Sequence, residues 1–170
     1  MPLSGTVLAM SAFAELSTAL DLGTAKAPQS FNRSVTLGSG TAAGKADRVF
    51  ADRRTLAASA TEDLDLAGVL LDAFGAAITF VRVKGLFISA AAANVNNVIV
   101  GASATNTWST LLNATGTVTL RPGATLGAMA GVTDPTGYAV TASTGDLLKI
   151  ANSGAGTSVT YDIFVIGASA

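Results

Sequence analysis

The sequence predicts an all-β protein, with an antiparallel β-sandwich or jelly-roll-like core and an extended N-terminal arm. Two features of the second half carry this prediction. Short runs with apolar residues at every second position recur there, and turn residues separate them at intervals of about 8 to 12 residues. In addition, no stretch after Ile78 combines a 3.6-residue apolar period with helix caps, which disfavours helices in that part of the chain.

The clearest of these runs lies at the C-terminus. Apolar side chains occupy every second position of one face there, namely Val159, Tyr161, Ile163 and Val165. Phe164 and Ile166 make the opposite face apolar after Asp162, so we expect protein to cover that end of the strand on both sides. Further strands are predicted within residues 34–37, 55–57, 64–66, 78–88, 96–101, 107–112, 117–121, 138–141 and 147–150.

A change of pattern at Gly85 predicts an irregularity inside one strand. Before this glycine, Arg82 and Lys84 lie on one face of the predicted strand. After it, Leu86 and Ile88 fall on the face that the charged pair occupied. A glycine at such a shift is typical of a β-bulge, or of a bend between two sheets.

The first third of the chain is less regular. We assign residues 1–50 to an arm or edge subdomain and residues 51–170 to the β-sandwich core. Within the arm, residues 25–31 contain Pro28 and are predicted to form an extended connection. The arm is expected to lie across an adjacent subunit.

Three segments around the arm's end are predicted in more detail. Residues 38–44 are rich in Gly, Ser, Thr and Ala, which favours a flexible loop. Residues 45–54 mix both signs of charge and are predicted to form a short helix or an edge strand. Thr61-Glu62-Asp63 is predicted to form an acidic turn between two strands.

The composition argues against an enzyme. Charged residues make up only 12% of the 170 residues, about half the usual share. There is no Cys and no His, which excludes thiolate nucleophiles, disulfides, Cys/His zinc sites and imidazole acid–base chemistry. The net charge of −1 provides no strong field for nucleic acid or an anionic membrane. We therefore expect no cofactor, nucleic acid or membrane as a partner.

The charges are also unevenly distributed. Residues 1–84 hold 16 of the 21 charged side chains, and none lies between Lys84 and Arg121. One interpretation is that some of this uncharged surface meets other protein subunits. The alternative is that Thr, Asn and Ser alone keep these strands hydrated.

Two candidate chemical sites each have a simpler structural explanation. Residues 38–43, Gly-Ser-Gly-Thr-Ala-Ala, satisfy a loose dinucleotide-binding template, but such a site needs a following helix and a parallel strand. Glu62, Asp63 and Asp65 offer oxygen ligands for a hard cation, but lack the spacing of a calcium loop. We favour a loop and a solvated strand surface, and predict no catalytic, cofactor-binding or metal-binding residues.

Six residues are candidate subunit contacts. Three belong to the segment of mixed charge and three are large aromatic residues: Arg48, Arg53, Arg54, Phe74, Trp108 and Phe164. The arginines alternate with Asp47 and Asp52, which favours ion pairs or subunit contacts over phosphate binding. For Trp108 and Tyr138, stacking on a ligand and packing in the core are both considered, and core packing is favoured.

Seven segments carry a recognisable set of motifs spread over residues 45–170. They are residues 54–66, 72–75, 80–84, 120–123 (Leu-Arg-Pro-Gly), 137–141 (Gly-Tyr-Ala-Val-Thr), 144–150 (Thr-Gly-Asp-Leu-Leu-Lys-Ile) and 159–163 (Val-Thr-Tyr-Asp-Ile). With these motifs the chain resembles a group of small virion proteins of tailed bacteriophages. The first 45 residues share no pattern with that group.

The resemblance implies a structural part of a virion and brings no catalytic residues. It leads us to expect a capsid decoration (cement) protein that binds the outer head shell as a homo-oligomer, a dimer or trimer. The expected partners are the major capsid protein and further copies of the chain, on the capsid surface after synthesis in the bacterial cytoplasm. The alternatives are a tail, connector or fibre-base component, and a carbohydrate-binding module or small hydrolase on the virion surface.

Overall fold

The computed structural model describes residues 3–170, and all regular structure in that range is β-strand. The all-β prediction is therefore confirmed. That range holds no helix long and apolar enough to cross a membrane. The strands are β1 Thr6–Leu20, β2 Gly23–Ser39, β3 Lys45–Ala46, β4 Arg48–Leu56, β5 Thr61–Asp65, β6 Leu70–Leu71, β7 Ala77–Ile78, β8 Arg82–Ala90, β9 Val98–Gly101, β10 Thr117–Leu120, β11 Thr125–Met129, β12 Tyr138–Ala139, β13 Leu147–Asn152 and β14 Val159–Ala168.

Two antiparallel sheets form the body of the protein. One has the strand order β11-β8-β14-β4, with β12 beside β8, and the other has the order β10-β9-β13-β5. Alternate residues of both sheets enter one apolar cluster, for example Ile88 and Ile163 from the first and Val100 and Ile150 from the second. This shared core is consistent with a β-sandwich.

The pairing of the eight main strands is nested. The first pairs with the last (β4 with β14), and the second with the seventh (β5 with β13). The third pairs with the sixth (β8 with β11), and the fourth with the fifth (β9 with β10). Further pairing of β14 with β8 and of β13 with β9 joins these pairs into the two sheets.

The predicted irregularity at Gly85 is confirmed as a β-bulge. Ile166 pairs with Gly85, whereas the next residue of β14, Gly167, pairs with Val83. Lys84 is therefore the extra residue. Its side chain is buried and its Nζ donates a hydrogen bond to the carbonyl oxygen of Asp134, at 2.8 Å. Burial lowers the pKa of Lys84 below its ordinary value.

Two predictions about local structure were wrong, and a third offered two alternatives of which one is correct. Residues 107–112 form no strand: Thr107 makes a single bridge to Leu147, and a turn follows. Thr61-Glu62-Asp63 is not a turn but the start of β5, where pairing places Asp63 opposite Lys149 and favours a strand by opposite charge. Of the two alternatives for residues 45–54, the edge strand is correct, because β4 is the edge of its sheet.

The N-terminal region forms a long β-hairpin. β1 and β2 pair along their whole length, from Thr6 with Leu37 to Leu20 with Gly23. The extended connection predicted around Pro28 is thus part of β2. Proline is found mainly on edge strands, and within residues 3–170 the outer edge of β2 pairs with another strand only at Gly38 and Ser39.

Candidate interaction surface

The β-hairpin has two faces of different character. Residues that pair directly lie on the same face of the ribbon. One face, which we call the apolar ribbon face, carries mainly aliphatic and aromatic side chains: Met10, Ala12, Ala14, Leu16, Leu20, Ala25, Ala27 and Phe31. The opposite face is more polar and includes Ser11, Glu15, Ser17, Lys26 and Asn32, with Glu15 and Lys26 joined by a 2.7 Å ion pair. It also exposes the ring of Phe13.

The base of the apolar ribbon face is buried against the body of the protein. Leu8 and Leu37 are buried there and form a cluster with Ala46 and Ile166. The cluster rests on the outer face of the five-stranded sheet, as expected from the apolar end of β14. The side chains of Leu8 and Ile166 both pack directly on Gly85, because a Cβ atom there would lie 2.6 Å from Leu8 Cδ1 and 2.9 Å from Ile166 Cγ2.

Beyond this seat, no part of residues 3–170 covers the apolar ribbon face. Leu16 is 69% exposed, Leu20 60% and Phe31 50%. Burying one such side chain is worth about 1.5–3 kcal/mol, so their contiguous exposure is unfavourable in water. Exposed apolar patches of this kind typically mark sites of protein association.

Two of the predicted contact residues lie on the outer face of the five-stranded sheet, the face against which the hairpin base packs. Phe164, 38% exposed, points outward from the five-stranded sheet and pairs with Phe87. On the next outward-facing row, Arg53 donates two hydrogen bonds to the carboxylate of Asp162, at 2.6 and 2.8 Å. These bonds lower the pKa of Asp162. Phe164 and Arg53 therefore both belong to the outer surface of this sheet.

Arg54 has a different position, between the two sheets. Its Nε donates to Glu62 Oε2 at 2.8 Å and its Nη1 donates to Asp52 Oδ2 at 2.9 Å. The hydroxyl of buried Tyr161 donates to Glu62 Oε1 at 2.6 Å. Because Glu62 lies on β5 whereas Arg54 and Tyr161 lie on β4 and β14, this group of side chains links the two sheets of the sandwich.

We expect Tyr161→Phe to lower the free energy of unfolding by about 1.5–3 kcal/mol, because a hydrogen bond to a charged acceptor is lost. Burial and the hydrogen bond to Glu62 raise the pKa of Tyr161 in the folded state. The hydroxyl's contribution is therefore complete below the unfolded pKa near 10 and decreases as the pH rises above it. Urea denaturation of both proteins between neutral pH and about pH 11 measures the difference, which should shrink above about pH 10; a constant difference would contradict this explanation.

Arg48 and Phe74 lie at separate places. Arg48 Nη1 is 3.1 Å from Asp47 Oδ2, within the same short segment. Phe74 is 78% exposed in the turn between β6 and β7, and its N–H donates to Asp72 Oδ1. Val69 and Leu71 are exposed nearby in sequence. The candidate contacts are thus spread over several surfaces.

Trp108 is a core residue, so its prediction as a subunit contact was wrong. It is 3% exposed and belongs to the main apolar cluster. Its indole N–H donates to the carbonyl oxygen of Ala139 at 2.8 Å, and its ring meets Tyr138 edge-on at 6.3 Å. A side chain so enclosed has no surface for a partner, and core packing was the alternative favoured for it.

The structure gives no support to a dinucleotide site at residues 38–43 or to a metal site at the acidic residues. The Gly-rich segment 38–43 is followed by β3 and β4, so the helix that a dinucleotide site needs does not follow it. Among residues 3–170, no group of three or more acidic side chains is placed to hold a metal ion. A groove of about 480 Å³ is lined partly by Asp52, Asp65 and Asp72, but these accept bonds from Arg54 or from backbone N–H groups.

The uncharged stretch between Lys84 and Arg121 runs from Gly85 in β8 through β9 to the end of β10. β8 and β9 are interior strands of their sheets, and Leu86, Ile88 and Val98 are fully buried. Burial in this chain's own core accounts for much of the missing charge. The exposed apolar surface lies mainly elsewhere, on the hairpin.

Sequence reasoning missed the residues of the apolar ribbon face. The sequence did contain an indication of this face, because Leu8, Met10, Leu16 and Leu20 all have even residue numbers and therefore share one face of β1. Alanines fill much of the pattern on both faces and weaken the contrast on which a period-2 pattern depends.

Comparison with known proteins finds no match for this chain among family models, curated proteins or solved structures.

Proposed function

We propose that this protein is a structural component of a bacteriophage virion, and that it decorates the outer head shell as a homo-oligomer. Its partners would be the major capsid protein and further copies of itself, and it would catalyse no reaction. The resemblance of residues 45–170 to small virion proteins of tailed bacteriophages supports the virion assignment. The nested strand order also supports it, because that order is the one found in jelly rolls, a fold class that includes viral capsid domains.

The observation that carries a role in assembly is the hairpin. A two-stranded ribbon is at best marginally stable alone in water, yet β1 and β2 pair far beyond their buried base. A partner that covers the apolar ribbon face stabilises both the ribbon and the assembly. Many copies on a shell add modest contacts to a high total avidity, as a cement function requires.

A tail, connector or fibre-base component is the second candidate, since the same surfaces fit any large assembly. The carbohydrate-binding alternative lacks its main support, because Trp108 is buried rather than free to stack on a sugar.

Copy number per particle tests the proposal. Quantitative mass spectrometry of purified virions of the encoding phage, with the major capsid protein as internal standard, should find on the order of hundreds of copies, as multivalent decoration of a shell requires. A handful to about a dozen copies would indicate a tail or portal position instead. Absence from purified virions would contradict the virion assignment.

A further inference from the structure

We infer that the apolar ribbon face is the self-association surface, and that it packs against the same face of a second copy about a two-fold axis. This inference deepens the proposed function, since it names the contact that makes the homo-oligomer. The two ribbons would run antiparallel, face to face, as two sheets do in a sandwich.

The base of the hairpin indicates which face is adhesive. The same face that carries Leu16, Leu20 and Phe31 carries Leu8 and Leu37, and those two are already buried against protein. The opposite face carries the Glu15–Lys26 ion pair and the exposed ring of Phe13, and its residues take no part in the buried cluster at the base. A second ribbon would therefore extend an existing apolar contact along the rest of the hairpin.

The size of this face matches a small but specific interface. The part beyond the seat spans about 12 residues of each strand, which is about 40 Å long and about 10 Å wide. Because side chains project from each face and add to its area, two such faces together bury on the order of 1,000 Å² of accessible surface. This area is the lower limit for a specific contact. We therefore expect a dimer of micromolar strength, which multiple attachment on a shell would reinforce.

Charge complementarity favours the antiparallel arrangement. Arg33 is the one charged residue on the apolar ribbon face, near its base, and Asp21 lies at the opposite end, in the turn between β1 and β2. A two-fold axis at the middle of the exposed length, near Leu16, brings Arg33 of each copy to Asp21 of the other. Within one copy Arg33 lies over the ring of Phe31, at 5.0 Å, so its charged group already lies along this face.

A charge-exchange experiment tests the contact. The full-length protein, Arg33→Asp, Asp21→Arg and the double variant are compared by sedimentation equilibrium up to about 100 µM, a range that detects micromolar dimers. Each single variant places like charges at two symmetric contacts, so we expect dimerisation to weaken about tenfold. The double variant restores opposite charges and should regain a dissociation constant within about threefold of the wild type. Arg33 and Asp21 are both exposed, and circular dichroism checks that each variant is folded.

Two further variants complete the design. Leu16→Asp, at the centre of the face, should abolish the dimer, whereas Asn32→Asp, on the polar face, should leave it unchanged. A wild-type protein that stays monomeric, forms only trimers, or shows no recovery in the double variant would overturn the inference. Those outcomes are independent of the copy number on virions: a monomer present in hundreds of copies would leave the proposed function standing, and a dimer absent from virions would leave only the inference standing.

Discussion

Asn152→Asp should lower the free energy of unfolding by about 3–5 kcal/mol, although the two side chains have nearly the same shape. Asn152 is buried, and its Nδ2 donates to the carbonyl oxygens of Ala57 and Thr157, at 2.9 and 2.8 Å. Its Oδ1 accepts from Asn96 Nδ2 at 3.0 Å. A carboxylate would direct a charged acceptor at two carbonyl oxygens and leave both without a donor.

Equilibrium denaturation in urea at neutral pH measures this loss. Asn32→Asp is the matched control, because Asn32 is exposed on the hairpin and its change should stay within about 0.5 kcal/mol. At acidic pH the introduced carboxyl gains a proton and one donor, so the difference from wild type should decrease. A loss at Asn152 no larger than that of the control would show that this hydrogen-bond group does not stabilise the fold.

Gly167→Ala is the second substitution with a large expected effect, a loss of about 3 kcal/mol or more. Gly167 lies in β14 at the bulge, where a Cβ atom would stand 2.2 Å from the carbonyl oxygen of Arg82 and 3.1 Å from Val83 Cα. Both neighbours are backbone atoms of β8, so relief requires β14 and β8 to separate. These two strands are the centre of the five-stranded sheet.

The same exchange at Gly131 provides the control. A Cβ atom at Gly131 would meet no atom within 4 Å, and its φ lies outside the left-handed region. Gly131→Ala should therefore leave stability unchanged or raise it slightly, by reducing the freedom of the unfolded chain. Urea denaturation midpoints of the two variants measure the difference in stability, and Gly167→Ala should have the lower midpoint. Equal midpoints would contradict the close approach of β14 to β8.

These variants separate two parts of the protein with different roles. Asn152 and Gly167 act on the sandwich, which is held by a continuous core and by internal polar links such as Arg54–Glu62–Tyr161. The hairpin beyond its seat contributes little to that core. Substitutions along its apolar ribbon face should therefore change association without unfolding the body, so the charge-exchange variants report on association alone.

Much of the sandwich could be predicted from the sequence, because its strands bury one face and the period of apolar residues records that burial. The alternation in β14 and the shift at Gly85 are examples, and both were confirmed. The turn assigned to Thr61–Asp63 was wrong, because cross-strand pairing with Lys149 outweighed a local acidic pattern. Trp108 was misassigned as a contact because exposure is set by neighbours that are distant in sequence.

The sequence by itself determined that this chain forms β structure, where most of its core strands lie, and that Cys and His take no part in its chemistry. Only the tertiary structure decided which strands pair, and that residues 6–39 form a hairpin with an apolar face that the other described residues leave exposed. The physical reason is that alternation reports which side chains share a face, whereas partners and exposure depend on contacts between distant segments.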